Sequence, residues 1–275
     1  WEVSSGRLLR TFKGHSDWIN AVALSADGQL ALSGSRDQTL KLWEVSSGRL
    51  LRTFKGNYNS VIAVALSADG QLALSAHGYQ PLSGRTFPDD NTVKLWEVSS
   101  GRLLRTFKGH SFFINAVALS ANGQLALSGS YKTLKLWDAS SGRLLRSFKD
   151  NYDSKKAVAL FPDGQLALFS SGYGTLKLWD VSSGRELRTF EGSHSDEVNA
   201  VVLSPDGQLA LSGSWDHTLK LWDVSSGRLL KTFKGHSSSV NAVALSADGQ
   251  LALSGGNDTT TRLWQVQTGT ELAQM

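Results

Sequence analysis

The 275-residue sequence contains no cysteine, only four prolines and a single methionine. The absence of cysteine excludes a disulfide framework and is typical of a reducing compartment. No apolar run is long enough to span a bilayer, and no signal-peptide pattern opens the chain. The sequence therefore predicts a soluble, cytoplasmic protein with no membrane partner.

Low-complexity tracts and linkers rich in proline or serine are also missing, so residues 1–275 are predicted to form a single domain. Charge of one sign is scarce, since 28 Lys and Arg face 24 Asp and Glu, for a net charge of +4. The basic residues recur at fixed positions such as Lys41 and Arg49, whereas nucleic-acid binding needs a basic cluster. We therefore expect no nucleic-acid partner.

Repetition is what the sequence has in abundance. Residues 28–44 contain two short apolar segments, a polar turn and a closing tryptophan, and versions of this stretch return throughout the chain. From Trp1 onward, the tryptophans at this position are spaced by 42, 53, 41, 42, 43 and 42 residues. A fixed period in the forties predicts a repeat architecture. We number the repeats 1 to 6 by their closing tryptophans, Trp43, Trp96, Trp137, Trp179, Trp222 and Trp264.

Each repeat contains four segments with the pattern of β-strands. In the first they are Arg7–Phe12, Ile19–Ser25, Gln29–Ser33 and Thr39–Trp43, of which Arg7–Phe12 is the outer strand. Asp-Gly or Asn-Gly follows the second segment in every repeat and is typical of a tight turn, because glycine accepts a positive φ. A four-stranded sheet of this size cannot bury both faces alone, so the sheets are expected to stack on one another.

The recurring Leu-Ser-x-Asp-Gly-Gln and Leu-Lys-Leu-Trp-Asp motifs resemble the WD-repeat β-propeller family, and the resemblance covers essentially the whole chain. The near-identical repeats are most similar to those of bacterial, cyanobacterial-type WD-repeat proteins. The resemblance implies an all-β propeller of four-stranded blades, and six sets of inner strands predict six blades. In such bacterial proteins, propellers accompany signalling ATPase, kinase or caspase-like domains as sensors or autoinhibitory partners.

Two segments compete to complete the last blade. Family members usually close when a terminal outer strand pairs with the last blade, which removes exposed sheet edges. Arg7–Phe12 and Thr270–Ala273 both carry the outer-strand pattern, and we favour Arg7–Phe12 because it matches the repeat better. Gly269–Met275 would then lead toward a downstream domain of a longer multidomain chain. The alternative is a seventh blade in the parent protein.

Three repeats contain a histidine, a serine, an aspartate and a tryptophan at matching positions. A hydrolase needs an exposed serine beside an oxyanion hole, and no Gly-x-Ser-x-Gly elbow surrounds Ser33. The resemblance implies a structural hydrogen-bond chain within each blade, and we expect no catalytic residue and no enzymatic activity. The sets are His15, Ser33, Asp37 and Trp43; His194, Ser212, Asp216 and Trp222; and His236, Ser254, Asp258 and Trp264.

The set is incomplete in three consecutive repeats. Repeat 2 has Asn57 in place of the histidine, repeat 3 lacks the acid, and repeat 4 retains only Trp179. The remaining histidines, His77 and His217, are far apart and lack metal-ligand spacing. We expect neither a metal nor a cofactor.

Variation among the six copies concentrates in two loops, one before the first inner strand and one after the second. The resemblance implies that both open onto the family's usual binding face. Ten of the twelve aromatic residues outside the repeat framework lie in repeats 2 to 4, which favours a binding surface over simple drift of these repeats. The candidate partner-binding residues are Trp18, Arg36, Tyr58, Tyr79, Phe112, Phe113, Tyr131, Tyr152, Lys156, Tyr173 and Trp215.

These observations predict a non-enzymatic scaffold or sensor module that binds a protein or peptide, which could be another domain of the same parent chain. An alternative is a lectin-like propeller that binds a small ligand or glycan and uses Trp18, Trp215 and the tyrosines as stacking platforms. In repeat 4 the pair Lys155-Lys156 stands where other repeats have pairs such as Ile19-Asn20. A lysine that replaces Ile or Val on an innermost strand either extends into the solvated central channel, is held by an acid such as Asp153, or meets an acidic group of a ligand. A hydrolase is the least favoured interpretation.

Overall fold

The computed structural model shows an all-β chain. It describes Glu2 and residues 7–55, 59–78, 91–131, 133–149, 157–172, 174–190 and 194–275. Across these residues, 24 strands form six four-stranded sheets in which strands adjacent in the sequence are adjacent in the sheet. Each sheet corresponds to one repeat and is called the blade of the same number. The predicted fold class, a six-bladed β-propeller with antiparallel four-stranded blades, is confirmed.

Blades 1 to 3 belong to a compact unit of residues 10–151. The strands within each blade are antiparallel and in most cases are six or five residues long. They are β1 (Ile19–Leu24), β2 (Leu30–Ser35), β3 (Leu40–Glu44) and β4 (Leu50–Phe54); β5 (Val61–Leu66), β6 (Leu72–His77), β7 (Val93–Glu97) and β8 (Leu103–Phe107); and β9 (Ile114–Leu119), β10 (Leu125–Ser130), β11 (Thr133–Asp138) and β12 (Leu144–Lys149).

Blades 4 to 6 belong to a second compact unit, formed by residues 1–9 and 152–275. Its first strand is short, with three residues, whereas the first strands of blades 5 and 6 have six. The strands are β13 (Val158–Leu160), β14 (Leu166–Ser171), β15 (Thr175–Asp180) and β16 (Glu186–Thr189); β17 (Val198–Leu203), β18 (Leu209–Ser214), β19 (Thr218–Asp223) and β20 (Leu229–Lys234); and β21 (Val240–Leu245), β22 (Leu251–Gly256), β23 (Thr261–Gln265) and β24 (Glu271–Gln274).

Each blade has two chemically different ends. In blade 1, Ile19 pairs with Ser35 and Leu40 pairs with Phe54, so the variable loops before β1 and after β2 lie at one end, here called the loop end. The Asp-Gly and Ser-Ser-Gly turns lie at the opposite end, called the turn end. At the turn end Gly28 has a φ of 68°, and Asp27 Oδ1 accepts hydrogen bonds from Ser25 Oγ and the Gln29 N–H. The turn chemistry inferred from the sequence is therefore present.

Neighbouring blades within a unit pack closely because small residues face large ones. A Cβ placed on Gly34 would lie 2.4 Å from Val61 Cγ1 of blade 2, and one on Gly213 would lie 2.6 Å from Val240 Cγ1 of blade 6. Phe54 of blade 1 packs edge-to-face on Trp96 of blade 2, with ring centroids 5.7 Å apart. These contacts bury both faces of a sheet, which is how a repeat that cannot fold alone gains its core.

In three blades, a basic side chain of the outer strand also donates hydrogen bonds to the backbone of the next blade at the turn end. In unit 10–151, Arg52 Nη2 and Nη1 donate to the carbonyl oxygens of Ser99 and Ser100 at 2.6 and 2.7 Å, and Arg105 Nε donates to the Ser140 oxygen at 2.8 Å. In the other unit, Lys231 Nζ donates to the Gln267 oxygen at 2.5 Å. These three basic residues therefore make contacts between blades, although the sequence indicated only an even distribution of basic residues along the repeats.

The N-terminal segment differs from the prediction. Residues 8–12 form no strand, and β24 (Glu271–Gln274) pairs with β23, so the preference for Arg7–Phe12 as the outer strand of blade 6 is wrong. Two contacts favour the C-terminal strand: Arg262 Nη1 donates to Glu271 Oε2 at 2.6 Å, and Met275 exchanges two backbone hydrogen bonds with Thr261. Phe12 instead packs edge-to-face on Trp43.

Candidate functional site

The histidine-containing sets of blades 1, 5 and 6 form closed hydrogen-bond chains. In blade 1, Trp43 Nε1 donates to Ser33 Oγ at 2.7 Å, Ser33 Oγ lies 2.7 Å from His15 Nε2, and His15 Nδ1 lies 2.8 Å from Asp37 Oδ2. Because a carboxylate can only accept, His15 Nδ1 carries a proton and donates it to Asp37 Oδ2. The chain thus runs from the indole N–H through the serine hydroxyl and the imidazole to the carboxylate, which is its final acceptor.

The other two complete sets repeat this geometry closely. In blade 5 the distances are 2.8 Å from Trp222 to Ser212, 2.8 Å from Ser212 to His194 and 2.8 Å from His194 to Asp216. In blade 6 the corresponding distances are 2.9, 2.7 and 2.9 Å. Each aspartate also accepts a hydrogen bond from a threonine that sequence inspection missed, although it stands two residues after the acid in all three repeats; they are Thr39, Thr218 and Thr260.

Hydrogen bonding keeps these aspartates ionised. Burial alone would raise the pKa of Asp37, but hydrogen bonds from Thr39, the Ser16 N–H and His15 outweigh it and hold the pKa well below its ordinary value of 3.8. Asp216 and Asp258 have pKa values lowered in the same way, again against the effect of burial. The carboxylates therefore act as permanent acceptors for the histidines.

The three sets are structural and not catalytic. Their distances match a Ser-His-Asp triad, but a nucleophilic serine must be reachable by substrate. Ser33, Ser212 and Ser254 are buried, and a tryptophan N–H occupies each hydroxyl oxygen. The geometry fits a brace that links the first loop of each blade to its third strand.

Blade 3 keeps the chain but ends it differently. Trp137 Nε1 donates to Ser128 Oγ at 2.9 Å and His110 Nε2 lies 2.7 Å from the same oxygen, while His110 Nδ1 lies 3.2 Å from Thr133 Oγ1. A hydroxyl thus stands where the other blades have a carboxylate. Burial, and secondarily the positive charge of Lys135, lower the pKa of His110 from 6.5 to about 4. The imidazole is therefore neutral at physiological pH.

The lowered pKa of His110 predicts a loss of stability in mild acid. The unfolded chain takes up the proton near pH 6.5, whereas the folded chain resists it to about pH 4. The contribution of His110 is therefore complete above pH 6.5 and is lost as the pH falls toward 4, amounting to about 2 to 3 kcal/mol. Urea unfolding of the wild type and His110→Gln at pH 7 and pH 5 should show a smaller pH-dependent loss of unfolding free energy in the variant.

His217→Gln is the control, because His217 is exposed and Gln38 occupies the same position in blade 1 with the same φ of 68°. Equal losses in wild type and His110→Gln would contradict the prediction.

Blade 2 supplies its imidazole from a different position. His77, at the end of β6, places Nε2 2.7 Å from Ser75 Oγ, and Trp96 Nε1 donates to the same oxygen at 2.8 Å. The sequence contains a signal for this exchange: repeat 2 has Asn57 where repeat 1 has histidine, and His77 where repeats 1, 3, 4 and 5 have serine. Asn57 lies outside the described residues.

Blade 4 replaces the polar chain with apolar packing. Phe169 stands at the serine position, is fully buried and packs on Trp179 with ring centroids 5.7 Å apart. Trp179 is only half-buried, whereas the equivalent tryptophans of blades 1, 2, 3, 5 and 6 are buried. Asn151 and Tyr173, which stand at the histidine and aspartate positions of repeat 4, lie outside the described residues.

The two variable loops of a blade meet at its loop end. The Arg36 N–H donates to the Trp18 carbonyl oxygen at 2.8 Å in blade 1, and the Trp215 N–H donates to the Glu197 oxygen at 2.9 Å in blade 5. In blade 3, Ser130 Oγ lies 3.0 Å from the Phe112 oxygen and 2.9 Å from the Phe113 oxygen. Residues drawn from separate parts of each repeat are thus brought together.

Several candidate side chains at the loop ends are exposed. Trp18 is 74% exposed with the Arg36 guanidinium 5.9 Å from its ring centroid, and Phe112 is 50% exposed with its ring 5.2 Å from that of Tyr131. Phe113 is half-buried beside Phe112, and Trp215 in blade 5 is 43% exposed. The candidates that lie outside the described residues are Tyr58, Tyr79, Tyr152, Lys156 and Tyr173.

The described residues contain no helix that could cross a membrane. They also contain no group of three or more histidine, cysteine or acidic side chains arranged to hold a metal ion.

Comparison with known proteins agrees with the repeat pattern. The model of the WD domain, G-beta repeat family matches six segments, residues 6–44, 48–97, 101–138, 142–180, 184–223 and 227–265. This family consists of β-propellers that generally serve as non-enzymatic scaffolds for protein interactions, which agrees with the structural role of the buried sets.

Individual relatives match only part of the chain. Autophagy-related protein 16 of Arabidopsis thaliana is 28% identical over 129 residues, which are 46% of this chain and 23% of that protein. The Lissencephaly-1 homolog of Caenorhabditis briggsae is 29% identical over 126 residues (46% and 30%), and WD40 repeat-containing protein HOS15 of Arabidopsis thaliana is 36% identical over 123 (45% and 20%). The chain thus spans less than a third of the length of these curated relatives. With six matched segments that together cover most of its residues, the chain belongs to the WD domain, G-beta repeat family.

Proposed function

We propose that the chain is a non-enzymatic scaffold or sensor module that binds a protein or peptide through the aromatic-rich variable loops of repeats 2 to 4, and that Trp18 and Arg36 of blade 1 take part in binding. The observation that carries this proposal is the exposure of Trp18 and Phe112 in two blades of one compact unit. Large exposed aromatic side chains are costly in water and dominate the binding energy of protein interfaces. A binding role accounts for their presence at the loop end.

The loops that present these aromatics are held before any partner arrives. The backbone bond from Arg36 to Trp18 and the hydroxyl of Ser130 beside Phe112 and Phe113 tie each loop to the end of a buried strand. Arg36 over Trp18, and Tyr131 against Phe112, further restrict the exposed rings. Because these side chains are already restricted, they lose less conformational entropy when a partner binds, and this favours affinity.

The proposal also includes residues for which the support is the sequence alone. Tyr58, Tyr79, Tyr152, Lys156 and Tyr173 occupy the same two variable loops in repeats 2 to 4. The partner is another protein or a different domain of the parent chain. We further propose that the protein is bacterial, because its repeats are nearly identical, and that it is cytoplasmic, because its sequence lacks cysteine. Neither a cofactor, a nucleic acid nor a membrane forms part of the proposed function.

Exposed tryptophans also support a second candidate, a lectin-like propeller. Trp18 in blade 1 and Trp215 in blade 5 each present an indole at a loop end, and indoles stack on the apolar faces of sugars. The protein-binding proposal is favoured because the aromatic residues outside the framework concentrate in repeats 2 to 4, beyond what two stacking platforms require.

A displayed library of random peptides tests the proposal. Selection on the immobilised wild-type protein should enrich a family of related peptides, and the Trp18→Ala, Phe112→Ala double variant should lose at least roughly tenfold in affinity for them, since each hot-spot aromatic contributes upward of 1 kcal/mol. The control is Leu103→Ala, Leu144→Ala, which removes two exposed apolar side chains from outer strands of the same unit. All three proteins should unfold at nearly the same urea concentration.

Two results would overturn the proposal. One is selection that enriches no peptide above background. The other is equal loss of affinity in the aromatic and leucine variants. If a glycan array incubated in parallel shows binding while peptide selection fails, the lectin-like function replaces the proposed one.

A further inference from the structure

The loop end of blades 1 to 3 has a distinctive charge. Lys13, Lys55 and Lys108 are exposed just beyond the outer-strand sequence Thr-Phe, and half-buried Arg36 follows β2 at the same end. Among the described residues of this end, the acids are Asp17 and Asp37. The described part of this surface therefore combines exposed aromatics with an excess of positive charge.

Both of these acids are already engaged within the protein. Asp37 accepts hydrogen bonds from His15, the Ser16 N–H and Thr39, and its side chain is almost fully buried. Asp17 Oδ1 accepts a bond from the Trp18 N–H at 2.7 Å. Their negative charge is thus partly compensated by local donors, while the lysines extend into solvent.

The described residues at the loop ends of blades 4 to 6 have the opposite charge balance. Among them the exposed lysine position is represented by Lys234, whereas Asp196 and Glu197 stand in the first loop of blade 5. Asp216 and Asp258, the acids of the two complete sets, also lie at this end. Asp196 and Glu197 lie in a variable loop, whereas the lysines and the acids of the complete sets occupy repeated positions.

The Arg36 side chain gives this positive charge a defined geometry. Its guanidinium carbon lies 5.9 Å from the Trp18 ring centroid. A guanidinium held on an aromatic face still directs N–H groups from its edge, and these match the two oxygens of a carboxylate. Trp18 and Arg36 together can therefore hold an apolar side chain next to an acidic one.

From these features we infer that the partner is an acidic peptide segment in which Glu or Asp alternates with aromatic or aliphatic residues. The apolar residues pack on Trp18 and on the Phe112–Tyr131 pair, and the carboxylates face Arg36, Lys55 and Lys108. This inference rests on the proposed function and adds the chemical class of the partner.

Peptides of matched shape test the inference. The best peptide from the library selection is synthesised in three versions that keep its apolar residues and carry glutamate, glutamine or lysine at the remaining positions. The glutamate version should bind most tightly and the lysine version least, and its affinity should fall as salt rises. Arg36→Gln should weaken the glutamate version by about fivefold, and the glutamine version by less than about twofold.

A residue at the same repeat position provides the control. Lys55→Gln, Lys108→Gln should weaken the glutamate version and reduce its salt dependence, whereas Lys234→Gln, the equivalent change in blade 5, should leave both unchanged. Equal affinities for the glutamate and glutamine versions overturn the inference while leaving peptide binding intact. Tighter binding of a single-stranded oligonucleotide than of the glutamate peptide also overturns it. Failure of the selection itself would instead count against the proposed function.

Discussion

Trp222→Ala is expected to lower the free energy of unfolding by about 4 kcal/mol, within the range for truncating a large buried aromatic residue. Trp222 is 1% exposed and packs edge-to-face on Phe190 at 5.8 Å and on His194 at 6.2 Å. Alanine would leave a cavity between blades 4 and 5 and would remove the indole donor of Ser212. Urea unfolding followed by circular dichroism measures the change.

The same substitution at an exposed tryptophan is the matched control. Trp18→Ala should change the free energy of unfolding by less than about 0.5 kcal/mol, because surface side chains contribute little to stability. The two variants remove identical atoms, so the difference between them isolates burial. Similar losses in both would mean that Trp18 is part of the core and would count against the proposed binding surface.

Ser254→Ala is expected to cost about 3 kcal/mol although it deletes a single oxygen atom. That hydroxyl accepts from Trp264 Nε1 at 2.9 Å and lies 2.7 Å from His236 Nε2. Its removal leaves two buried polar nitrogens without their acceptor and donor, and each such group costs about 1 to 3 kcal/mol. Thermal and urea unfolding should both register the loss.

An exposed serine in the same blade is the control, because its substitution also removes a hydroxyl but breaks no buried hydrogen bond. Ser237→Ala should be nearly neutral, since the contact of Ser237 with Asp258 uses its backbone N–H, which alanine retains. If Ser254→Ala were as mild as Ser237→Ala, the buried chain would contribute little to stability, and its repetition in three blades would need a different explanation.

The repeat pattern was sufficient to predict the blades because local signals and packing agree in each copy. Strands near Ile19, Leu30 and Leu40 begin within one residue of their predicted starts, and the Asp-Gly turns have the expected geometry. The pattern failed at the termini, where two segments both have the outer-strand pattern and the one that matches the repeat less well forms the strand. The choice between them depends on contacts such as Arg262 with Glu271, which the repeat consensus does not contain.

The candidate site was harder to predict because a side chain that is missing at one position of a repeat can be replaced by a side chain at another position. His77 replaces the missing histidine of repeat 2 from a neighbouring strand position, and a position-by-position comparison treats these as two unrelated changes. Exposure is likewise a three-dimensional property: the sequence groups Trp18 with Phe113, whereas the structure exposes the first far more than the second. The alternation of apolar and polar residues predicts which side chains of a strand are exposed, but it does not apply to side chains in loops.

The basic side chains that fasten one blade to the next have a consequence for how such chains diversify. Arg52, Arg105 and Lys231 reach main-chain oxygens, so the contact survives whatever side chains the neighbouring turn carries. Copies of a repeat can then be exchanged, duplicated or shuffled without rebuilding this junction. A repeat whose loops bind a given partner can then be moved to another position together with its loops. Protein engineers can use this property to graft new binding specificities onto the framework.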